Sequence, residues 1–129
     1  MLDITASLQR QITEASSKRR PADQEADADF MSIELDGGDY GVQMIQIPKG
    51  GKVALHSKDR VRLLYIGKRN RPMFELAENS VLYLKGKLEI YYNTNNMQEV
   101  MRLMIRCPPS SSVEISKDVK VSFFSQKVQ

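Results

Sequence analysis

A chain of 129 residues, 41% apolar and with few glycines and prolines, fits one globular domain with a real core and excludes a low-complexity or fibrous chain. One cysteine, Cys107, excludes an internal disulfide framework and fits a reducing compartment, and no apolar run approaches the ~20 residues of a membrane helix. The net charge of +3 divides unevenly: residues 1–40 hold four basic and nine acidic residues, and the remainder fifteen and seven. The start, MLDITASLQRQ, lacks the charged-then-apolar order of a secretory leader, so a soluble intracellular protein is expected. In the front region Ile4, Leu8 and Ile12 recur every four residues, one narrow apolar stripe on a helix that Asp3 can cap. SSKRRPADQEADAD follows, with no large apolar residue, and reads as a linker. Ser17-Lys18-Arg19-Arg20 has the composition of part of a nuclear targeting signal, or of a solvated basic run. Residues 1–29 are therefore expected as a flexible or partly helical segment, dispensable for folding of a β-domain at 30–129.

From Phe30 the pattern becomes strand-like. MSIEL (31–35) precedes the turn Asp36-Gly37-Gly38-Asp39, and GVQMIQI (41–47) is apolar on both alternating faces. KVALH (52–56), VRLLYI (61–66), VLYL (81–84), KLEIYY (87–92) and VMRLMI (100–105) follow, with Gly86 where the chain must bend and Asn93 to Asn96 as a turn. CPPSSS is an irregular corner before VEI (113–115) and VKVSFF (119–124). Eight or nine short strands predict an all-β sandwich or barrel.

Catalytic chemistry is thin. The one histidine, His56, cannot supply a three- or four-ligand metal site, and Lys58, Arg60 and Arg62 nearby repel a cation. Nothing marks Cys107 and His56 as a nucleophile and base, and the glycine pairs lack a phosphate-loop frame. No metal, cofactor or catalytic residue is expected.

The order IPKGGKVALH, ENSVLYLKGKLEIYYN, CPPSSSVEISKDVKVSFF resembles a cupin jelly roll over roughly residues 40–128, with Glu78, Val81, Tyr83, Leu84, Gly86, Leu88 and Ile90 matching its middle segment. The histidines of metal-binding cupins are missing. The ending Phe123-Phe124-Ser125-Gln126 resembles that of the centromere protein C family, whose C-terminal domain is a metal-free cupin; Ser110 to Ser112 depart from that family's corner. The resemblance implies a cupin-like jelly roll that is a non-catalytic homodimerisation and partner-binding domain of a kinetochore scaffold. It implies a nuclear, centromeric fragment of a longer protein, bound to histone-loading chaperones or meiotic regulators and in indirect contact with chromatin. A nucleoplasmin-like histone-chaperone sandwich and a small-molecule-binding or catalytic cupin are the alternatives.

Strands apolar on both faces need two covers, and a second subunit supplies the outer one. The expected dimer or partner interface is Val100, Met101, Leu103, Met104 and Ile105, with Leu88, Ile90 and Tyr92 beside them. Lys58, Arg60, Arg62, Lys68, Arg69 and Arg71 form a candidate patch for an acidic partner or nucleic acid, against the simpler reading of a solvated strand face. The acidic segment 23–29 of the same chain is a further candidate occupant of that patch.

Overall fold

The computed structural model describes residues 1–17 and 30–125. The acidic segment at 23–29 and the basic cluster at 18–20 lie outside them. The chain opens with β1 (Leu2–Asp3) and α1 (Thr5–Ser17). The strands β2 (Met31–Glu34), β3 (Gly38–Val42), β4 (Ile45–Ile47), β5 (Lys52–Tyr65), β6 (Phe74–Leu76) and β7 (Val81–Asn93) follow. After α2 (Val100–Met104) come β8 (Ile105–Arg106), β9 (Ser112–Ile115) and β10 (Lys120–Phe124).

The expected wealth of strands is present. Every ladder among the described residues is parallel, however. A jelly roll joins antiparallel strands in Greek keys. Here the chain winds as a solenoid, each turn lying on the one before. β2, the first half of β5, the first half of β7 and β9 stack as one wall. β3, the second halves of β5 and β7, and β10 stack as a second, and β4, β6 and β8 as a third. β1 adds to the second wall beside β3.

Parallel winding places like on like. Met31, Val53, Leu82 and Val113 occupy one register column, and Ile33, Leu55, Leu84 and Ile115 the next. Tyr40, Leu63, Ile90 and Val121 form a column of the second wall, and Ile45, Phe74 and Ile105 one of the third. These columns fill the interior. Each fully buried aliphatic side chain contributes about 1.5–3 kcal/mol by leaving water, and the columns sum to one continuous core.

The walls turn where the sequence permits. β7 bends at Gly86, which has φ +86°. A Cβ there would meet the Ser57 backbone, its amide nitrogen at 3.0 Å and its carbonyl oxygen nearer still. β5 bends opposite it by an irregularity between Ser57 and Val61. Between the second and third walls the Gln43 amide donates to the Thr5 hydroxyl at 2.7 Å. This corner divides GVQMIQI, expected as one strand, into the end of β3 and β4. Its apolar residues fall on both parities because the alternation restarts after the corner.

The expectation for residues 100–105 is corrected. VMRLMI was expected as a strand, but residues 100–104 form α2 and only Ile105–Arg106 is extended. Met, Leu and Arg favour helix, and a short apolar run does not distinguish helix from strand by periodicity. The front region also belongs to the fold: Leu8 and Ile12 are buried in the core cluster and Ile4 packs against it. Gln9 fastens α1 to β4, accepting from the Gln46 amide at 2.8 Å and donating to its carbonyl at 3.0 Å. Asp3, one residue before the N-cap position, accepts the Thr5 amide at 2.9 Å and so satisfies one of the free amides of the first helical turn. Bonds from the Thr5 hydroxyl and then the Thr5 amide hold the Asp3 carboxyl below its ordinary pKa.

Candidate functional site

Parallel register orders the outside of the walls as well. Asp39, Arg62, Glu89 and Lys120 fall in one outward column of alternating charge. Arg62 lies 4.0 Å from both Asp39 and Glu89, and Arg60 holds both Glu89 oxygens, its NH2 group at 3.1 Å. These bonds, with one from the Tyr91 hydroxyl at 2.9 Å, lower the Glu89 carboxyl to about 2. Lys58 lies 3.7 Å from Glu34. Half of the expected basic patch is therefore engaged with carboxylates of neighbouring turns, as a solvated strand face would be. Lys68, Arg69 and Arg71 sit apart, in the loop after β5, and form no ion pair among the described residues. The six do not converge on one ligand.

His56 lies on the outside of the first wall, its Nε2 sharing a 2.8 Å hydrogen bond with the Ser32 hydroxyl and its Nδ1 3.9 Å from Glu34. The Cys107 thiol is exposed near the Pro108 carbonyl. Among the described residues no group of three or more His, Cys, Asp or Glu could hold a metal ion. A groove of about 570 Å³ runs between α1 and the third wall, lined by Gln9, Gln46, Glu75 and Arg106 among others. Its polar groups are committed to one another: Gln46 donates to Glu75 at 3.1 Å, and Arg106 donates to the other Glu75 oxygen at 3.1 Å.

The expected interface residues are not brought together on a surface. Leu88, Ile90, Tyr92 and Met104 are fully enclosed and Ile105 is buried, all inside the solenoid. Met101 is exposed on α2, and Val100 and Leu103 are half-buried beside it. Tyr92 stacks on Tyr65 at 5.0 Å and donates to the Arg71 carbonyl. The strand face at residues 81–84 has a local cover on its outer side. Leu82 and Leu84 point inward, and the outward Tyr83 is covered edge-on by Phe30 and by the Lys85 ammonium.

The exposed apolar surface lies where the winding stops. At the first turn α1 closes the interior, and Ile33, Val42, Ile45 and Ile47 are all buried. At the last turn the column positions Val113, Ile115 and Val121 are only half-buried, and Phe123 is 42% exposed. No strand lies beyond β9 and β10 among the described residues. Sequence reasoning missed this end because it follows from parallel winding. The available signal was the alternation of VEI and VKVSFF with nothing after it to pair.

Comparison with family models, with curated proteins and with solved structures finds no match to this chain.

Proposed function

We propose that the chain is a non-catalytic assembly module that forms a homodimer and holds protein partners. The observation that carries this reading is the asymmetry of the solenoid. One end is sealed by α1, and the other presents an apolar interior and open strand edges. A solenoid turn cannot bury its apolar face alone and needs a neighbouring turn or a cap. Closure at one end and opening at the other suits a finite assembly better than a fibre. Mass by light scattering of the full chain tests it. Two chains support the reading, one chain at all concentrations rejects it, and five would favour the nucleoplasmin-like alternative.

The narrower proposal is a nuclear kinetochore scaffold that links centromeric chromatin to histone-loading or regulatory partners. Its support is the residue match at 78–90 and 123–126. The parallel ladders lend a cupin jelly roll no support. Its test is the position of a fluorescent fusion in dividing cells: foci at centromeres support it, and diffuse signal rejects it.

A further inference from the structure

We infer that the open end pairs with a second copy of this chain through β10, antiparallel across a two-fold axis that passes between the two copies of Ser122. The inference rests on the homodimer reading and supplies its surface and register.

Backbone direction comes first. The Phe124 carbonyl accepts from the Thr94 amide at 2.8 Å, so the backbone groups of Phe124 face β7. Successive residues of a strand turn their N–H and C=O groups to opposite edges. Ser122 therefore also faces β7, and the backbone groups of Val121 and Phe123 face outward, where no strand follows among the described residues. Centring an antiparallel pair on Ser122 sets Val121 opposite Phe123 of the second copy. The two then exchange both of their N–H and C=O groups as a hydrogen-bonded pair. Ser122 meets itself at the closer, non-hydrogen-bonded position, and Lys120 lies opposite Phe124.

Side chains agree with this register. An axis normal to the sheet keeps inner faces inner. Val121 and Phe123 continue the columns of Ile90 and Tyr92, so each copy's interior is covered by the other's. No like charges oppose one another on β10. The alternative edge, β9, fails that criterion. The Ser112 amide bonds the Ser80 carbonyl at 3.1 Å and the Ser116 amide bonds the Leu84 carbonyl at 2.9 Å, so Val113 and Ile115 carry its open groups. A self-pair centred between those two sets Glu114 against Glu114, and directly opposed like charges destabilise a sheet. A β9 self-pair at that position is therefore disfavoured, and the β10 register carries no such conflict. A second copy also matches the closed opposite end: pairing consumes both open ends, and growth stops at two.

The test is Ser122→Cys in a Cys107→Ser background of the full chain. Ser122 falls where the two Cα atoms lie about 4.5 Å apart, within disulfide range. Mild oxidation is expected to convert most of the protein to a covalent dimer, and Lys120→Cys in the same background is expected not to cross-link. Phe123→Glu is expected to halve the mass while leaving circular dichroism and melting those of a folded chain. A wild-type chain that is monomeric sinks the homodimer reading and this inference together. A wild-type dimer in which Ser122→Cys fails to cross-link sinks the β10 register and leaves the homodimer reading standing. Should Phe123→Glu unfold the chain, the two cysteine variants still decide.

Discussion

At the scale of single residues, Gly86 was legible and its partner was not. A lone glycine between two apolar runs marks a bend. That it must pass the Ser57 backbone depends on a residue of the preceding turn, which local pattern does not contain. Gly86→Ala combines an unfavourable positive φ with that contact and should cost about 2 kcal/mol or more in urea unfolding. Glu89 is the centre of an ion network on the outside of the second wall. Its carboxyl, held at about 2 by Arg60 and then Tyr91, binds a proton less readily in the folded chain than its ordinary value of 4.5 allows. Its contribution is present above that ordinary value and is lost as pH falls toward 2. The melting temperatures of wild type and Glu89→Gln should therefore converge over that window. The difference should shrink in high salt because the pair is partly exposed. Tyr92 and Tyr65 shift the other way, their phenols raised chiefly by burial. Stability they confer is present below the ordinary value of 10.0 and is lost as pH rises above it. Their phenolate absorbance should appear at higher pH in the folded chain than in the unfolded one. Tyr92→Phe should delay the alkaline transition while costing about 1–2 kcal/mol at neutral pH, because the Arg71 carbonyl loses its donor.

At the scale of elements, strands marked by alternation were found where expected, at MSIEL, KVALH, VRLLYI, VLYL, KLEIYY, VEI and VKVSFF. Two elements misled for different reasons. VMRLMI carries apolar residues at spacings that suit either structure, and the preceding turn at Met97–Glu99 starts it as a helix. α1 was recognised as a helix, but its thin stripe gave no indication of what it covers. It covers the first turn of the solenoid, so the sequence expectation that residues 1–29 are dispensable should fail. Leu8→Ala should cost about 2–5 kcal/mol, in the range of core truncations, and deletion of residues 1–17 should lower the melting temperature sharply. An unchanged melting temperature on deletion would show that the core closes without α1.

At the scale of the whole molecule, winding was the part the sequence hid. Parallel solenoids announce themselves by a repeat of fixed length. Here the turns differ in length: Ile33 stacks on Leu55, Leu55 on Leu84 and Leu84 on Ile115. Corners of unequal length, one of them containing α2, erase the period while the columns persist. The same winding encloses Leu88, Ile90, Tyr92, Met104 and Ile105 and leaves the half-buried and exposed apolar positions at the last turn, Val113, Ile115, Val121 and Phe123. Amide hydrogen exchange across a dilution series tests this account most directly. The account predicts the slowest amides in the middle turn, at Leu82, Leu84, Leu88 and Ile90. It predicts that the Val121 and Phe123 amides are slow when the protein is concentrated and fast when it is dilute. Val121 and Phe123 amides that exchange at the rate of an unfolded chain at every concentration, while the middle turn stays protected, would contradict it.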